Sequence, residues 1–200
     1  MARPMVVVLG GPNGAGKSTI APYVVRDVLG VHTFLNADEI ARGLSGFAPE
    51  AVALRAGRLM LTRIAELTAA GAPFAFESTL SGTGHRRVLQ ECRGAGYEVR
   101  LVYMWLPSAE ASLRRVRQRV ASGGHAIPPG DVTRRWARSL VNFYDLYRPL
   151  AHAWQLYDGS VPGSQVLIAD GASGAVQVYD THRWARVTAQ IATARTGLSP

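Results

Sequence analysis

Eight consecutive residues, Gly11-Pro12-Asn13-Gly14-Ala15-Gly16-Lys17-Ser18, fit the pattern G-x-x-x-x-G-K-[ST] at every position and fix more of the architecture than any other stretch. Before them Met5 to Gly10 is an apolar, β-branched run, read as a buried parallel strand; after them a helix is expected over Lys17 to Leu29. Glycines let the backbone fold round an anion with its amides pointing inward. The helix start aims its positive dipole end at the same point. Lys17 is placed to reach the β and γ phosphates of a nucleotide, and the Ser18 hydroxyl to ligate Mg²⁺. The expected nucleotide cradle is therefore Gly11, Pro12, Asn13, Gly14, Ala15, Gly16, Lys17, Ser18 and Thr19, with ATP and Mg²⁺ as the bound species.

The remaining pattern alternates strands with helices. Thr33 to Asn36 reads as a short strand, Pro49 to Ala70 as a long amphipathic helix stopped by Gly71 and Pro73, and Phe74 to Glu77 as a third strand. His85 to Arg93 reads as a helix, Val99 to Leu106 as a fourth strand and Trp154 to Asp158 as a fifth. Val166 to Ala169 and Val176 to Tyr179 flank a turn and predict a C-terminal β-hairpin, followed by a helix over His182 to Ala194. The expected fold is α/β, a P-loop NTPase of the nucleoside-monophosphate-kinase-like, three-layer kind with a mainly parallel five-stranded sheet. At 200 residues it is read as a single domain, 1–200.

Between the fourth and fifth strands, Ser108 to Val120 and Val132 to Tyr147 read as two helices joined by a Gly/Pro-rich bend. Eight arginines (114, 115, 117, 119, 134, 135, 138 and 148) face three acids there, so much of the net charge of +8 is concentrated in this segment. A mobile arginine-rich helical lid over about 108–148 is the expectation. The chain lacks the interleaved aromatics or recognition-helix pattern of a nucleic-acid binder, so the charge is read as serving an anionic small molecule. Of 22 basic residues only Lys17 is lysine, and the position that retains it is one where a compact ammonium serves and a planar guanidinium does not. Apolar runs are strand-sized, which argues against a membrane span, and the cytoplasm is the expected compartment. The single cysteine, Cys92, is read as a packed thiol.

A phosphate loop serves GTPases, transporters and kinases alike. The guanine-reading N-K-x-D is excluded by the single lysine. Leu80-Ser81-Gly82-Thr83-Gly84 superficially matches an ABC-type signature, but the strand that follows ends in Leu-Pro rather than Asp-Glu. A small-molecule kinase remains, with Asp38 in Asn36-Ala37-Asp38-Glu39-Ile40 as the carboxylate that deprotonates the acceptor; its competing reading is a helix N-cap. Glu77, closing the third strand, faces the same crevice, with a cap or salt bridge as its competing role.

At these residues the chain resembles the zeta-toxin family of kinases, and more closely its short stand-alone branch. The resemblance rests on GPNGAGKST, NADEIARGLSGFAPE, FAFESTLSG, RLVYMWLP, RVRQRVASGGHAIP and RRWARSLVNFYDLYRPLA, spanning most of residues 5 to 158. It implies phosphorylation of the 3′-hydroxyl of a UDP-amino sugar such as UDP-N-acetylglucosamine, with Asp38 as general base and Glu77 and Thr79 on the sugar. It also implies Arg119 and one of Arg134 or Arg135 as lid arginines, and a protein antitoxin as partner. Ser81 and His85 do not align clearly with the family, and His125 belongs to the short branch's lid motif without being counted as catalytic. Arginines 114, 115, 117 and 138 are read as solvated helix surface. The alternatives are a kinase of another metabolite or of an antibiotic alcohol, and an ATP-hydrolysing switch with no phosphoacceptor.

Overall fold

The computed structural model describes residues 3–124 and 126–197. Strand β1 (Met5–Gly10) lies at the centre of one sheet, with Val6, Val7, Val8 and Leu9 completely shielded from solvent. Its neighbours are β3 (Phe74–Ser78) and β4 (Glu98–Trp105), both parallel to it. Strand β2 (Phe34–Leu35) pairs with β3 and β5 (Ala153–Val161) with β4, again in parallel. The expected five parallel strands are thus present. The expected C-terminal hairpin, β6 (Ser164–Ala172) and β7 (Ala175–Val178), does not stand apart: β6 pairs antiparallel with β5, giving one seven-stranded sheet in the order β2-β3-β1-β4-β5-β6-β7.

Helices cover both faces. Against one lie α3 (Ala53–Ala69), α4 (Gly84–Gly94), α6 (Pro129–Asn142) and α7 (Thr181–Gly197), which contribute Met60, Ile64, Leu89, Leu140, Val187 and Ile191 to a core with Phe74, Phe76, Tyr103 and Trp105. Against the other lies α1 (Lys17–Ala21), whose Ile20 and Ala21 pack on Val7, Leu9 and Met104. The alternation of β1 explains the division: Val6 and Val8 face one layer, Val7 and Leu9 the other.

The helix expected over Lys17 to Leu29 is regular only to Ala21. From Pro22 to Val28 it runs as a π-helix, with the Leu29 N–H reaching the Val24 carbonyl. Pro22 has no N–H to donate to the turn before it, so the α ladder breaks there and the wider register takes over. Similarly, the helix expected over Val132 to Tyr147 is α6 to Asn142 and π-helical from Phe143 to Tyr147. Among the described residues no helix is long and apolar enough to cross a membrane.

Candidate active site

The loop between β1 and α1 sits at the carboxyl ends of the parallel strands, where open α/β sheets take their ligands. Two glycines there have no substitute. Gly11 has φ +142°, and a Cβ on it would meet the Met104 carbonyl oxygen at 2.5 Å. Gly14 has φ +77°, and a Cβ would meet the Arg115 Cβ at 2.6 Å. Gly16, in the left-handed region, precedes Lys17 without any side-chain cap, so the first helical amides remain directed into the loop. Asn13 is 7 % exposed, and its Oδ1 finds no partner among the described residues, the kind of buried polar atom that a bound ligand or water completes.

Lys17 is buried and its Nζ donates to the carbonyls of Gly11 (2.8 Å) and Pro12 (3.0 Å). Burial pushes its pKa below the ordinary value, opposed by the nearby charges of Glu77 and Asp38 and reinforced by that of Arg119. Four of the residues singled out from the sequence therefore share one electrostatic neighbourhood.

Glu77 is the hub. Parallel register sets it beside Leu9 of β1, directly under the loop. Its Oε1 lies 3.6 Å from Lys17 Nζ, while its Oε2 accepts from Ser18 Oγ at 2.7 Å and from Asn36 Nδ2 at 3.1 Å. A serine hydroxyl and a carboxylate in contact are hard oxygen donors of the sort Mg²⁺ takes, completed by phosphates and water, so the residues fit that ion. Among the described residues no group of three or more His, Cys, Asp and Glu side chains forms a metal cage, and a Mg²⁺ held partly by phosphates does not require one.

Asp38 stands in the first turn of α2 (Ala37–Leu44), exposed to solvent. It is not the cap: Asn36 is, its Oδ1 accepting from the Asp38 N–H at 2.8 Å. The sequence held a signal for this, since Asn36 with Glu39 three residues later matches the capping-box spacing. Thr79 and Ser81 pair through their hydroxyls at 2.9 Å. Between them Leu80, fully buried, takes φ +56°, and its carbonyl accepts from Asn142 Nδ2 at 2.8 Å. The Tyr147 hydroxyl donates to the Gly82 carbonyl at 2.6 Å, so α6 and the π turn after it hold this strained loop in place. Thr79, Ser78, Gly82 and His85 border the upper end of a groove of about 750 Å³ between α3 and α4. Burial lowers the pKa of His85, whose ring packs 5.0 Å from that of Phe76.

The arginine segment differs from a freely moving lid at its base. Helix α5 (Ala109–Ala121) is bolted to the phosphate loop: Ser112 Oγ donates to the Asn13 carbonyl at 2.5 Å. Arg115 donates to the carbonyls of Gly159 (2.9 Å) and Ser160 (2.6 Å) at the end of β5. Arg115 is thus a structural tie and not solvated surface, a role that charge counting along the sequence could not show. Arg119, one turn on, lies near enough to Lys17 to depress its pKa. Arg134 pairs with Asp131 on its own helix at 2.8 Å and is more than half exposed, and Arg135 is half-buried beside it. His125 lies outside the described residues.

Residues 6–142 match the AAA domain family. The chain belongs to that family. A relative from Haemophilus influenzae, an uncharacterized protein, is 31% identical over 126 residues, which is 63% of this chain and 88% of that protein. Among solved structures, the chain is similar to one in the AvrRxo1-ORF1:-ORF2 complex with ATP, at a TM-score of 0.74 and 21% identity over 94% of this chain. It spans only 64% of the length of that protein. It is also similar to a chain of the PezAT chromosomal toxin-antitoxin system of Streptococcus pneumoniae, with a TM-score of 0.63, 15% identity and coverage of 98% and 88% of the two chains. A kinase-like P-loop α/β fold with a mostly parallel sheet is what these likenesses establish.

Proposed function

We propose that this AAA-domain chain is an ATP-dependent kinase that moves the γ-phosphate onto a hydroxyl of a small molecule. The observation that carries the reading is the convergence of Lys17, Ser18, Glu77 and Asp38 at the strand ends, with Arg119 on a helix bolted to the same loop. In this reading Lys17 offsets charge on the transferring phosphate, Ser18 and Glu77 hold Mg²⁺, and Asp38 accepts the proton of the attacking hydroxyl. Mg²⁺, when held there by Ser18 and Glu77, would supply positive charge to offset that of the nucleotide phosphates. Arg119, with Arg134 or Arg135, stabilises the equatorial oxygens. Catalysis is by positioning and charge, with no covalent intermediate.

The acceptor suggested by the zeta-toxin resemblance is a UDP-amino sugar such as UDP-N-acetylglucosamine, contacted by Thr79; the likeness of fold to a chain of a toxin-antitoxin system supports an antitoxin partner. Glu77 departs from the sugar-contact role in this scheme, because its carboxylate is committed to Ser18 and Asn36. The test is incubation with γ-labelled ATP and Mg²⁺ against UDP-sugars, nucleosides and aminoglycosides. Label on a UDP-amino sugar is the expected result, and label on another alcohol keeps the kinase and changes the acceptor. ATP turnover indifferent to every addition would replace the kinase with a hydrolytic switch.

A further inference from the structure

We propose that Asn36 is a positioning residue that locks the Glu77 carboxylate against Ser18 and, through its other arm, ties that carboxylate to the helix bearing Asp38. The inference rests on the reading of Ser18 and Glu77 as the Mg²⁺-holding pair. Helix capping alone would explain half of what the side chain does. Its Oδ1 takes the Asp38 N–H at 2.8 Å, a service that Ser, Thr or Asp performs equally well. The other half is the Nδ2 bond to Glu77 Oε2 at 3.1 Å, which requires an N–H₂ on the far arm of a planar amide. Both arms are engaged, and turning the amide over would set its carbonyl against a carboxylate and its N–H₂ against an N–H.

The location gives the bond its consequence. Asn36 is 8 % exposed, so neither arm exchanges freely with water. Glu77 has two competing attractions: Lys17 draws Oε1 at 3.6 Å, and Ser18 holds Oε2 at 2.7 Å. Without the Asn36 donor, Oε2 keeps only Ser18, and the carboxylate is free to rotate towards the Lys17 ammonium. A ligating carboxylate whose supporting hydrogen bond is removed commonly loses ~10–100-fold in metal affinity or activity. The same side chain fixes where α2 begins, so a displacement of Glu77 is transmitted to Asp38 through one buried amide. Phosphate side and acceptor side are joined without any contact between the two carboxylates.

Three substitutions separate positioning from capping, read by thermal unfolding and by calorimetric binding of ATP with and without Mg²⁺. Asn36→Ser keeps a capping oxygen and is too short to reach Glu77. It should unfold within about 2 °C of the parent, bind metal-free ATP as the parent does, and bind MgATP ~10-fold or more weakly. Asn36→Ala should show the same MgATP loss and, lacking a cap, a further fall in Tm of about 2–4 °C. Asn36→Asp keeps shape and cap but replaces the donor to Glu77 with a second carboxylate oxygen, so it should lose MgATP affinity as Asn36→Ser does although its cap is intact. In a Glu77→Gln background Asn36→Ser should cause little additional loss. Parent-like MgATP affinity in Asn36→Ser, with only Tm changed in Asn36→Ala, would reduce Asn36 to a cap and overturn the proposal. A parent that binds ATP equally with and without Mg²⁺ would instead remove the metal reading itself, and the positioning role with it.

Discussion

Lys17 shows how a single side chain is held for work by its surroundings. Its ammonium is buried against two carbonyls, with one carboxylate at 3.6 Å and a second within electrostatic range. Lys17→Ala should lower phosphoryl transfer at least ~10²-fold in a steady-state assay, since no other lysine exists to replace it. Lys17→Arg should rescue little of that, because a planar guanidinium does not fit between the Gly11 and Pro12 carbonyls. Asp38→Asn now discriminates more sharply than the sequence allowed. With Asn36 as the cap, the substitution removes only a proton acceptor from an exposed position, so the unfolding midpoint should not move while turnover falls ~10²-fold or more. Unchanged turnover would return Asp38 to the surface of α2.

Among the elements, α5 carries the most instruction. Its first turns are fastened to the phosphate loop and to the end of β5, so Arg119 is presented from a fixed base. Arg115→Ala should therefore destabilise the fold by about 1.5–3 kcal/mol in denaturant unfolding, the range for hydrogen bonds to a charged group. Arg114→Ala, exposed one residue earlier, should leave stability and kinetics close to the parent. Arg119→Ala should cut kcat by ~10³-fold with little effect on ATP binding, as expected of a group that acts on the transition-state charge. The double substitution Arg134→Ala/Arg135→Ala is expected to lower kcat in the same selective way. Loss of nothing beyond an exposed ion pair to Asp131, worth about 0.3–0.5 kcal/mol, would confine catalysis to Arg119.

On the scale of the whole molecule, ligand binding and folding are linked through Lys17. Its pKa in the folded protein lies below 10.5, so between that lowered value and 10.5 the unfolded chain holds a proton that the folded one has lost. Unfolding then takes up a proton, and this group's contribution to stability rises with pH across that window. ATP should show the opposite trend: an excess of about 100 Kd adds ~2.7 kcal/mol and raises Tm by roughly 5–10 °C, and that rise should shrink as Lys17 loses its charge. Differential scanning fluorimetry of parent and Lys17→Ala across alkaline pH measures both trends. The phosphate loop, the alternation of strands and helices, and the identity of Lys17, Ser18, Asp38 and Glu77 as chemical groups were legible in the sequence, because local spacing and periodicity encode them. Which groups touch was not. Glu77 meets Ser18, 59 residues away in the chain, only because β3 pairs in register with β1; Arg115 becomes a tie only because β5 ends beneath α5. The continuation of the hairpin into the main sheet likewise depended on long-range pairing of β6 with β5. Composition and spacing determine what each residue can do, whereas sheet order and register, set by the burial of two apolar faces, decide which of those capacities are brought together.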